Sequence, residues 1–73
     1  MTKEDLEKVK DLQQEYLFLY PKWRYGQAFF NALYELFPNI ADSIRGSNID
    51  PFYRDDNVEK CIKYLEDRNE QRD

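Results

Sequence analysis

The chain has 73 residues and a net charge of −4, with 41% hydrophobic residues, one cysteine and no histidine. That length allows one small domain, and the missing histidine removes His-activated nucleophiles and the commonest metal ligand. A lone cysteine excludes an internal disulfide, and an acidic balance argues against double-stranded nucleic acid, which needs surplus Lys and Arg at its phosphates.

In chain order, Thr2-Lys3-Glu4-Asp5 reads as a helix start, with Thr2 as cap and Asp5 at the capping-box position. Leu6, Val9, Leu12, Tyr16, Leu19 and Tyr20 mark an apolar stripe at spacings of three and four, with Phe18 off that stripe. Pro21 ends the segment because it disfavours a helical conformation at Tyr20. Residues 23–37 predict the central helix. Phe29, Ala32, Leu33, Leu36 and Phe37 cover one side, Tyr25, Phe30 and Tyr34 flank it, and Arg24, Gln27, Asn31 and Glu35 form a narrow polar stripe. A helix apolar around more than half its circumference belongs at the middle of a small domain.

Pro38 closes that helix, and Asn39 reads as the N-cap of a short third helix with Asp42 at its capping-box position and Gly46 as its stop. The loop that follows contains Asp50-Pro51, a turn signal, with Ile49 and Phe52 placed to pin it to the core. Asp56-Asn57-Val58-Glu59 predicts another capping box, and Val58, Cys61, Ile62 and Leu65 give a last amphipathic helix. Residues 69–73 have no apolar anchor and are expected to fray. The reading is all-α: one helical domain over residues 1–68, built as a small bundle of three main helices, one short helix and an ordered Asp-Pro loop. Without a signal peptide or spanning segment, and with a single cysteine, a soluble cytoplasmic protein is expected.

The residues offer little for catalysis. No phosphate-binding glycine motif or nucleophile elbow is present. Asp50, Asp55 and Asp56 are explained by a turn and a helix cap, not by an oxygen-ligand ring. Cys61 lies on an apolar stripe and reads as a small core residue. The expectation is a non-enzyme with no metal and no cofactor.

Three features are candidates for function. The run Tyr20-Pro21-Lys22-Trp23-Arg24-Tyr25 interleaves rings and cations. It suits an end of the core, a protein interface, or a nucleotide or short single strand through stacking and phosphate contact. Gly26 sits inside the apolar arc where a side chain is expected. It reads as a point of close packing or, with Lys22 and Arg24, as a candidate anion site at a helix N-terminus. The stripe Arg24, Gln27, Asn31 and Glu35 suits a face turned to water, bonds to a partner or, as the preferred reading, bonds to the Asp50–Asp55 loop. With twelve aromatic rings (six Tyr, five Phe, one Trp) in so short a chain, some should form an exposed patch of the kind that meets partners.

Arg24-Tyr25-Gly26-Gln27-Ala28-Phe29-Phe30-Asn31, then Pro38, Ala41-Asp42, Arg45-Gly46 and Asp50-Pro51-Phe52-Tyr53, resembles a family of short uncharacterised bacteriophage and bacterial proteins. The resemblance spans roughly residues 20–65 and transfers no catalytic or binding residue. It implies a phage origin, and small phage proteins of this kind often bind and disable a host enzyme or defence system. The leading expectation is therefore an interaction protein that blocks a host protein sterically, with Trp23, Tyr25, Phe52 and Tyr53 as anchors and Arg24 and Arg54 giving orientation. A nucleotide or single-strand binder using the Lys22–Gly26 turn, and a homo-oligomeric module, are the alternatives.

Overall fold

The computed structural model describes the backbone of residues 1–72 and the side chains of residues 1–68. Four helices follow in order: α1 (Lys3–Leu19), α2 (Tyr25–Leu36), α3 (Pro38–Ile44) and α4 (Asn57–Arg72). No strand occurs among the described residues. The all-α bundle of three main helices and one short one is thus the architecture.

Helix α1 starts at the expected cap. Thr2 is extended, and its Oγ1 accepts the Asp5 N–H at 3.0 Å, a contact worth about 1 kcal/mol. Its buried face is Leu6, Val9 and Gln13, with Leu12 and Tyr16 half-buried. The predicted stripe ran too far: Leu19 is 53% exposed and Tyr20 45% exposed. The chain leaves α1 at Tyr20 and turns through Pro21 and Lys22, so α2 enters beside Gln13, not beside the last turn. The Gln13 Nε2 donates to the Tyr25 carbonyl at 3.0 Å. A buried amide is tolerated there because it carries that bond into the start of α2.

Helix α2 is the centre, packed against α1, α3 and α4. Ala28, Phe29, Ala32 and Leu33 are fully buried and Phe30 nearly so, and full burial of a Phe or Leu contributes about 1.5–3 kcal/mol. The helix is shorter than residues 23–37. Leu36, expected on the apolar side, is exposed in the last turn of α2, and Phe37, half-buried, lies past the helix as its C-cap.

Pro38 does more than close α2. It is the first residue of α3, and Phe37 (φ −140°, ψ 70°) ends one helix and caps the next. A first helical position needs no N–H, so proline fits there at no cost in hydrogen bonding. Asn39 consequently lies inside α3 and is not its cap, and Asp42 turns outward to Arg45, 3.1 Å away. After Arg45, Gly46 takes φ +74°, the left-handed stop that glycine adopts without strain.

The following loop is ordered by Asp50. Its Oδ2 accepts the Gly46 N–H at 2.6 Å, its Oδ1 accepts the Phe52 N–H at 2.9 Å, and its carbonyl accepts the Asn57 side-chain amide at 3.0 Å. Pro51 is buried, and Ile49 and Phe52 pack on the core as expected. Helix α4 buries Val58, Cys61 and Leu65, with Ile62 half-buried. Asp56, expected to cap α4, instead directs its carboxylate to Arg54, at 3.1 and 3.3 Å. Asn57, 4% exposed, joins the loop to the helix in its place. The fraying expected over residues 69–73 concerns side chains and a last residue that lie outside the described residues. No helix among the described residues is long and apolar enough to cross a membrane.

Candidate functional site

The residues read from sequence as one patch occupy two places. Trp23 joins a cluster at the corner between α1 and α2. Its ring stacks on Tyr20 with centroids 4.4 Å apart and planes at 18°, and meets Tyr16 edge-on at 5.4 Å. In the same stretch of chain Leu19, Tyr20 and Tyr25 are exposed, whereas Phe18, 84% exposed, lies about 160° round α1 from Tyr16 and Tyr20, away from the cluster. Burial, then the nearby Glu35 carboxylate, raises the Tyr16 phenol above its ordinary pKa, so its hydroxyl stays protonated.

Phe52 and Tyr53 belong to a second place. Phe52 packs edge-on against Phe30 at 5.8 Å and against Tyr53 at 4.8 Å. The Arg45 guanidinium lies 5.4 Å from the centre of the Phe30 ring and 5.3 Å from that of Tyr34, within cation–π reach of both. These residues and Asn31 line a groove of about 400 Å³ between α2 and the Asp-Pro loop. Tyr53, 79% exposed, stands at its edge. Arg54 points elsewhere, paired with Asp56; hydrogen bonding from Arg54 pulls the Asp56 carboxyl below its usual range.

Arg24 and Gly26 link α2 to that loop. The Arg24 Nη2 donates to the Phe52 carbonyl, and its Nε lies 3.9 Å from the Asp55 carboxylate. The Gly26 N–H donates to Asp55 Oδ1 at 2.9 Å. A Cβ on Gly26 would fall 2.1 Å from the Pro51 carbonyl oxygen, so glycine is required for this approach. The N-terminus of α2 does hold an anion, and it is the chain's own Asp55. Of the candidate anion-binding residues Lys22, Arg24 and Gly26, the last two are therefore occupied by the loop, and Lys22 is exposed in the turn.

The polar stripe separates in the same way. Arg24 bonds the loop, and the Gln27 Oε1 accepts the Arg24 N–H at 3.3 Å. Asn31 lines the groove, while Glu35 faces solvent. Sequence reading missed Gln13, Tyr34 and Arg45 as site or core residues. Phe30 and Tyr34, four positions apart, were legible as neighbours on one helix face, but nothing local places Arg45 over both rings.

Among the described residues no group of three or more His, Cys, Asp or Glu could hold a metal ion. Burial, with a smaller contribution from Asp50, pushes the Cys61 thiol up to about 12, so it stays a buried thiol at neutral pH. A further hollow of about 640 Å³ lies against α4 and the chain start, but Lys3, Glu59, Lys63, Glu66 and Asp67 give it mixed, solvated charge. No family model matches the chain, and comparison with curated proteins and with solved structures returns no match either.

Proposed function

We propose that this chain is a protein-binding module that acts by occupying a partner's surface through the α1–α2 corner. The observation that carries the reading is the run of exposed apolar side chains there: Leu19, Tyr20 and Tyr25 are exposed within a few residues of Trp23, whose ring stacks on Tyr20. Lone exposed hydrophobics are ordinary, but a local group rich in Tyr and Trp has the composition of an interface centre. The rings are also held before binding. Tyr20 and Trp23 are stacked and Tyr16 backs them edge-on, which lowers the entropy cost of docking. The resemblance to short phage proteins makes a host protein the natural partner class, blocked sterically and not chemically.

The test is capture from host lysate with tagged full chain, compared with Tyr20→Ala and Tyr53→Ala. The reading expects one protein retrieved stoichiometrically, lost with Tyr20→Ala and retained with Tyr53→Ala. Because Trp23 is the only tryptophan, its emission should shift on adding the purified partner. Capture that is insensitive to Tyr20→Ala overturns the reading. A dimer of the isolated chain that Tyr20→Ala dissociates would assign the corner to a second copy instead.

A further inference from the structure

We propose that the groove between α2 and the Asp-Pro loop is a second, independent site that binds a flat heteroaromatic ring carrying an anionic group, of the class of a nucleoside monophosphate. Its volume, about 400 Å³, falls in the range of small-ligand sites. The walls are π surfaces: Tyr34 from α2, and Phe52 and Tyr53 from the loop, with Phe30 at the base. Every base has a π face, so stacking on such rings needs no particular sequence.

Two polar groups give the ligand its other features. Asn31 is half-buried and lines the groove, and its side-chain amide makes no hydrogen bond among the described residues. Its amide offers a donor and an acceptor side by side, the pairing that reads the edge of a base. Arg45 is the single cation of the lining. One of its nitrogens meets Asp42, 3.1 Å away and outside the groove, and a guanidinium has five N–H donors. Asp50 also lines the groove and keeps its charge, but it directs one oxygen to the Gly46 N–H and the other to the Phe52 N–H, and the ion pair of Arg45 is with Asp42. The remaining N–H donors of Arg45, beside the rings of Phe30 and Tyr34, are thus what an anionic group on a stacked ring would meet in the groove.

This site is not the Lys22–Gly26 turn, whose helix end is filled by Asp55. The experiment is a titration of the isotopically labelled full chain with AMP, GMP, CMP and UMP, followed by amide shifts and calorimetry. Adenosine, inorganic phosphate and an acetylated Tyr-Asp dipeptide are the parallel probes. At least one monophosphate should bind, moving the amides of Asn31, Arg45, Phe52 and Tyr53. Removing the phosphate, or introducing Arg45→Gln, should weaken that binding about tenfold or more, and Tyr53→Ala by a similar factor. Lys22→Ala should leave it unchanged. Both Arg45 and Tyr53 are exposed, so these variants should fold. No shift with any monophosphate at about 10 mM, beyond the weakest useful affinity, overturns the proposal. So does binding that survives both Arg45→Gln and Tyr53→Ala, or binding of the dipeptide alone, which would give the groove to a protein partner.

Discussion

At the α1–α2 corner, Tyr16, Tyr20 and Trp23 pack together within one stretch of chain, and Leu19, Tyr20 and Tyr25 there are open to solvent. In the groove, Phe30, Arg45 and Phe52 come from α2, the end of α3 and the loop. The corner is local and carries its apolar surface outward. The groove exists only while the loop is tied to α2 by Arg24, Gly26 and Asp55. Two aromatic sites of similar composition therefore differ in what holds them: ring contacts in one, a small set of partly exposed backbone and carboxylate bonds in the other. That difference predicts which substitutions damage which site.

The largest expected effect is Gly26→Ala. Alanine is the better helix former by up to about 1 kcal/mol, but its Cβ would lie 2.1 Å from a backbone oxygen of Pro51. Relief requires the loop to move, at a cost of about 3 kcal/mol. Chemical denaturation should show that loss. In the native baseline, the amides of Phe52 and Tyr53 should shift while Trp23 emission stays unchanged. Equal disturbance of both reporters would show that the corner and the groove are one structural unit.

Legibility in the sequence follows the same division. Helix α2 was readable as the centre because its apolar arc is a local, periodic signal, and Gly46 was readable as a stop because only its backbone geometry mattered. Gln13 was not, since a polar residue on a charged helix reads as solvated until the Tyr25 carbonyl is placed beside it. Gly26 was half legible. A glycine in an apolar arc signals a close neighbour, but periodicity cannot say that the neighbour is Pro51. Asp56 and Asn39 were misassigned for one reason: cap rules rank residue types, and here Arg54 and Pro38 competed for the same positions. The patch from Trp23 to Arg54 was divided in space because composition reports how many rings are exposed, and not which elements carry them to the same side.

Asp55→Ala should have an intermediate effect. It removes the acceptor of the Gly26 N–H and the negative charge at the start of α2, together worth about 1–2 kcal/mol. Asp55→Asn keeps the shape and an acceptor oxygen, so it should recover roughly half of that loss, the remainder being the charge–dipole part. Thermal melts of the two variants separate these contributions. If Asp55→Asn is as damaging as Asp55→Ala, the carboxylate charge, and not the hydrogen bond, holds the loop.

The smallest effect belongs to the corner. Tyr20 is 45% exposed, so truncation to alanine exposes little new apolar surface and loses chiefly the stack on Trp23, about 0.5–1 kcal/mol. A double-mutant cycle with Trp23→Ala should return a coupling of that size. Tyr20→Ala should shift Trp23 emission to the red, as the indole gains solvent, and leave the Phe52 and Tyr53 amides where they are. A coupling near zero would mean that the rings are adjacent without being organised, and the corner would lose its advantage as a pre-formed binding surface. A coupling well above 1 kcal/mol would mean the opposite: the corner would then support the fold as firmly as the Gly26–Pro51 contact does, and its exposed rings would be structural before they are functional.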